Sequence, residues 1–179
     1  ARCWREPFAL PTVRRSDDGI AAHMQIERDA LVPAPPGRVF ALVDDLAVYP
    51  SWMNLVHDVH EEPPTGDRRT WNVELQAQVG PLARSKRLRM TRVAHEPDRR
   101  VVFERDEVDG KRHSPWILSA TLHPDVAVAG STRLTMTLTY GGNLWTGAVL
   151  QRVLDDHIER GAAALCALVA ASGDGGPGR

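Results

Sequence analysis

The chain has 179 residues, 42% of them apolar and 25% charged, which suits one ordinary globular domain with a sizeable core. Its 22 basic and 23 acidic residues leave a net charge of −1, so there is no global positive field to gather nucleic acid, and no nucleic-acid partner is expected. No apolar run approaches the ~20 residues that span a bilayer and no basic-then-apolar leader opens the chain, so no membrane span and a cytoplasmic location are expected.

Residues 1–23 carry Pro7, Pro11 and the charged run Arg14 to Asp18 without a sustained period of 2 or 3.6, and read as an extension outside the domain. Met24 to Val32 alternates as a strand. Pro33, Pro35, Pro36 and Gly37 end it before a short helix over Pro36 to Asp45, where Pro36 suits the first turn. A second helical turn is expected around Ala47 to Met53 and a strand near Leu55 to Glu61.

From Thr70 the pattern turns to long antiparallel hairpins. Trp71, Val73, Leu75, Ala77 and Val79 share one face and Asn72, Glu74, Gln76 and Gln78 the other, the mark of a half-buried strand. After a turn at Gly80-Pro81, Leu82 to Ala94 would extend about 40 Å at ~3.3 Å per residue, a length that requires a bent sheet. Glu96-Pro97-Asp98 turns the chain into Arg99 to Val108, and Asp109-Gly110 signals a hairpin. Alternation continues in Trp116, Leu118, Ala120 and Leu122, and in Leu134, Met136, Leu138 and Tyr140. Beyond Gly141-Gly142-Asn143 the period becomes 3.6, predicting a helix over Leu144 to Ala171 with a stripe through Val153, Leu154, His157, Ile158, Leu165, Leu168 and Val169. Ser172 to Arg179 is Gly-rich and reads as a disordered tail. Of the two cysteines, Cys3 lies in the polar extension and Cys166 in the apolar stripe, a spacing that fits no metal or redox motif.

The segments Val32-Pro33-Ala34-Pro35-Pro36-Gly37-Arg38-Val39-Phe40 and Asp44-Asp45-Leu46-Ala47-Val48-Tyr49-Pro50-Ser51-Trp52, followed by the strand series and the final helix, resemble the START-like or Bet v 1-like superfamily, in its polyketide cyclase/dehydrase branch. The resemblance covers residues 24–171. It implies an α+β helix-grip fold, in which a curved antiparallel β-sheet wraps around a long C-terminal α-helix with an internal cavity. It also implies a hydrophobic small-molecule ligand, of polyketide, steroid or lipid type. Fold does not dictate reaction, so both a cyclase-like enzyme and a non-enzymatic lipid or quinone carrier, or a module docking on a ribosomal partner, stay open. The oligomeric state stays open too, a homodimer included.

Among candidate site residues, Arg92 shares strand parity with Leu88 and Met90, so a cavity-facing pair would carry a guanidinium inward to orient a ligand carbonyl or enolate. The resembled aromatase/cyclases place a cavity arginine where Met90-Thr91-Arg92-Val93 aligns; the alternative is a strand-end arginine reaching solvent beside His95 and Glu96. Where those cyclases add tryptophans and amides, this chain has Leu88, Met136 and Leu138, a greasier lining. Tyr49, Trp52, Trp71 and Trp116 can line the pocket or simply fill the core; Trp145 is a further large aromatic. His157 is either a general base or a helix histidine held by a neighbouring carboxylate. His57 and His60, three apart on a strand, point to opposite faces, so no metal site is expected. The basic group Arg84, Lys86, Arg87, Arg89 and Arg92 divides between both strand faces, where Glu104, Asp106 and Glu107 can pair with it. With no phosphate loop, nucleophile elbow or helical His-Glu-x-x-His, no cofactor is expected.

Overall fold

The computed structural model of the chain describes residues 23–64, 66–79, 82–141, 160–161 and 163–171. Residues 1–22 of the expected extension, the Gly80-Pro81 turn, Trp145, His157, most of the expected final helix and the Gly-rich tail lie outside the described residues, while His23, expected in the extension, opens the first strand.

Strand β1, His23–Val32, stops where Pro33 removes a ladder donor. Helix α1 follows over Pro36–Phe40, with a proline in its first turn. It is shorter than the expected 36–45. Past Phe40 the chain tightens, with the amides of Val43 and Asp44 both donating to the Phe40 carbonyl at 2.9 Å. Asp45 is then extended and its carboxylate accepts from the Ala47 amide at 2.9 Å, which starts a separate 3-10 turn, Leu46–Ser51. A short acidic side chain that can bond nearby backbone favours such a cap over a helix interior.

Six strands complete the sheet: β2 Val56–Glu61, β3 Thr70–Val79, β4 Leu82–Glu96, β5 Arg100–Arg105, β6 Trp116–Pro124 and β7 Thr132–Gly141. Their order is β1-β7-β6-β5-β4-β3-β2 and every neighbouring pair is antiparallel. The one long crossover carries the chain from the β1 edge to the β2 edge, and α1 and the 3-10 turn lie on it. Strand β5 ends earlier than the expected Val108, and Asp109-Gly110 does not join two strands directly. It sits instead in the loop between Arg105 and Trp116, with Gly110 at φ 70° and the Asp109 carboxylate accepting from the Lys111 amide and meeting His113 Nε2 at 2.7 Å. The turn chemistry is local, but Pro115 has no amide to continue the ladder.

The pleat sorts side chains as the alternation requires. Cross-strand pairs Trp71 with Met90, Arg92 with Phe103, Phe103 with Leu118, Leu118 with Leu138 and Ala120 with Met136 put one continuous row on the inner face. A register shift between Arg92 and Ala94 bends the long β4. Against the inner face lie α1, over β6 and β7, and the 3-10 turn, over β2 and β3. The described part of the carboxy-terminal helix joins them through buried Leu165, Cys166 and Val169, which share its inner side. Arg38 Nη2 donates to the Val169 carbonyl at 3.2 Å and ties α1 to that helix. Among the described residues no helix is long and apolar enough to cross a membrane.

Candidate functional site

The inner face has two ends of different character. At the end covered by α1, the 3-10 turn and residues 163–171, packing is dense: Tyr49 and Trp71 are fully buried, and Trp52, Leu88 and Met90 nearly so. Tyr49 lies against Trp52 and, edge-on, against Phe103, which in turn meets Trp71 edge-on. The Tyr49 hydroxyl donates to the Val43 carbonyl at 3.0 Å and Trp52 Nε1 to the Leu42 carbonyl at 3.0 Å, so both polar handles hold the turn. Burial, with Asp44 and Asp45 nearby, pushes the Tyr49 pKa far above the ordinary tyrosine value. The Trp71 indole N–H has no hydrogen-bond partner among the described residues.

At the other end the same apolar row is only half-buried. Leu75, Trp116, Leu118, Met136 and Leu138 keep part of their surface exposed. Trp116 packs against the main core and, with Leu55 and Leu138, against a smaller cluster of Ile26 and Tyr140. Leu55 precedes β2 at one edge of the sheet, yet it packs on the cluster that Tyr140 of β7 forms with Ile26 of β1 at the other, so the sheet is strongly curled. The rings of Trp116 and Tyr140 are 5.5 Å apart, and burial pushes the Tyr140 pKa up to about 12.

Residues 23–170 match a family model described as polyketide cyclase/dehydrase and lipid transport. The chain belongs to that family. No curated protein matches it. Among solved structures it is similar to a START superfamily protein from Mycobacterium smegmatis, with 16% identity, 84% of this chain and 99% of that one covered, and a TM-score of 0.65. A protein from Thermus thermophilus gives 21% identity, 83% and 98% coverage and a TM-score of 0.63. The Zhui aromatase/cyclase from Streptomyces sp. R1128 gives 15% identity, 84% and 93% coverage and a TM-score of 0.56. At such identities the likeness establishes a helix-grip fold of the START and Bet v 1 kind. The family itself points to a hydrophobic-ligand or polyketide-cyclase-like role.

Arg92 does lie on the inner row, opposite Phe103, but at the covered end, where its Nη1 donates to the Asp44 carbonyl at 3.2 Å. It is neither a free strand-end arginine nor an unoccupied donor. Burial first, then Arg69, pulls its pKa down, against Asp44, Asp45 and Glu61; an arginine stays charged nonetheless. Beside it Arg69 links the Asp45 carboxylate at 2.7 Å to Glu61 at 2.6 Å and covers the Trp71 ring at 4.8 Å. The outer-face arginines are cross-paired, Arg87 with Glu74 at 3.0 Å and Arg89 with Glu62 at 2.9 Å and with Asp106. Glu62 and Glu74 take most of the part expected of Glu104, and the Arg84 side chain lies outside the described residues.

Two further cations sit at the half-buried end. Lys86 pairs with Leu75, on the same parity as Leu88 and Met90, and its Nζ lies 4.6 Å from the Trp116 ring centre. Arg105, on the parity of Val101 and Phe103, donates from Nε to Glu107 at 2.8 Å. The parity argument that turned Arg92 inward applies equally to Lys86. Its place within a basic run hid it, because the run reads first as a solvated face.

Proposed function

We propose that the chain holds a hydrophobic small molecule of polyketide, steroid or lipid type against the half-buried end of its inner face, with Trp116, Met136 and Leu138 as its wall. The observation that carries this reading is the incomplete burial of a contiguous apolar row on the concave side of the sheet. Large apolar groups left half-wet on a concave surface gain from an apolar occupant, at roughly 25 cal/mol per Å² covered. Tyr49, Trp52, Trp71, Leu88 and Met90 form the packed floor beneath it. His157, outside the described residues, stays a candidate from its place in the helical stripe.

Native mass spectrometry of the purified protein, followed by displacement of a bound fluorescent apolar probe, tests the reading. A co-purifying or displaceable apolar ligand is expected. If none is found, and an experimental structure shows side chains filling the concave side, the reading fails. For cyclase-type chemistry Arg92 is the group to vary, because its guanidinium can stabilise an enolate. Arg92→Ala would abolish product formation from a poly-β-ketone with the fold retained; unchanged turnover would remove it from the mechanism.

A further inference from the structure

Twenty of the 22 basic residues are arginine, and Lys86 is one of two lysines. It occupies the inner row at the half-buried end, between Leu75 across the ladder and the Trp116 ring. Among the described residues its ammonium makes that ring contact and no hydrogen bond or ion pair. The other inward cations are already engaged: Arg105 with Glu107 and, at 3.5 Å, the Ser114 carbonyl, and Arg92 with the Asp44 carbonyl. Among the described residues, Lys86 therefore brings three donors to an apolar wall where no oxygen accepts a hydrogen bond from them.

We infer that the molecule held against this wall is an amphipathic acid, and that its carboxylate is received by Lys86 while its apolar body covers Trp116, Leu118, Met136 and Leu138. The inference rests on the proposed hydrophobic-ligand reading and specifies its polar end. Burial withdraws water from the ammonium and lowers its pKa, Arg105 adds to this, and Glu107 opposes it. A carboxylate placed on Nζ offsets both effects: it supplies a charge-assisted hydrogen bond and a negative charge in direct contact with the ammonium. Arg105 takes the role less readily, since Glu107 already balances its charge from 2.8 Å. The indole under the ammonium adds a cation–π contact and an apolar surface for the ligand at the same point.

Decanoate and decanamide, matched in length and shape, are the probes, each measured at pH 7 by displacement of a neutral fluorescent dye. The wild-type chain should hold decanoate about 10- to 100-fold more tightly than decanamide. Lys86→Met should erase that preference and leave decanamide binding within about two-fold, since the loss of one charge leaves the wall intact. Lys86→Arg should keep it, and so should Lys111→Met, which removes the other lysine in the exposed loop between Arg105 and Trp116. If wild-type protein binds the two probes equally, or if Lys86→Met retains the preference, the inference is overturned while the apolar reading stands. If neither probe nor the dye binds, the apolar reading falls and takes this inference with it. Should Lys86→Met fail to fold, NMR titration of the wild-type lysines decides: decanoate must raise the pKa of Lys86 and leave the Lys111 signal unchanged.

Discussion

Tyr49 and Tyr140, the chain's two tyrosines, show how burial sets chemistry at the residue scale. Both have folded-state pKa values raised by desolvation. A group that holds its proton more tightly when folded contributes stability that is complete below its unfolded pKa, near 10 for tyrosine, and is lost as pH rises above that. Native protein at pH 10.5 should therefore show almost no tyrosinate absorbance near 295 nm, and unfolding at the same pH should release it. Tyr49→Phe should cost about 1–2 kcal/mol at neutral pH, by stranding the Val43 carbonyl, and should flatten the alkaline fall in stability. Denaturant titrations at several pH values measure both. That Tyr49 and Trp52 are large aromatics near a turn is plain in the sequence. That their polar atoms hold backbone carbonyls of residues 43 and 42 is not, because a hydrogen-bond partner six or ten residues away depends on how the turn folds back.

At the scale of elements, the strands were legible because each inner row alternates and one slip would turn every apolar side chain outward. Helix α1 was over-extended because apolar Val39, Phe40 and Val43 keep a helical spacing while Asp45 breaks it through a cap. The described helical residues dock on the 3-10 turn at Gly161, where an added Cβ would lie 3.3 Å from the Trp52 carbonyl oxygen and 3.6 Å from its ring. Alanine normally gains up to about 1 kcal/mol over glycine in a helix. Here that gain is expected to vanish, since a backbone carbonyl fixed by its own turn has little room to move. Gly161→Leu should destabilise by about 1–3 kcal/mol through overpacking. Urea unfolding of the two variants checks this, and a stabilised Gly161→Ala would show that the helix stands further from the turn.

At the scale of the whole molecule, a seven-stranded sheet carries an inner face whose described residues are buried more fully at one end than at the other. Ligand that binds only the folded state adds RT ln(1 + [L]/Kd), about 2.7 kcal/mol at a hundred-fold excess over Kd. For a chain of this size that corresponds to a rise in Tm of roughly 5–10 °C. A thermal melt with saturating decanoate should show it, and an unmoved Tm would argue against binding to the native fold. The amino-acid sequence by itself determined the strand series, the 3.6-period stripe that follows it and the family, because periodicity and turn residues are local properties. It also marked which side chains could face inward. Only the tertiary structure decided which inward residues are packed shut and which are half-exposed, and which inward cation has no hydrogen-bond partner among the described residues. Those properties depend on the curl that brings Leu55 toward Ile26 and on contacts such as Arg92 with Asp44, 48 residues apart in the chain.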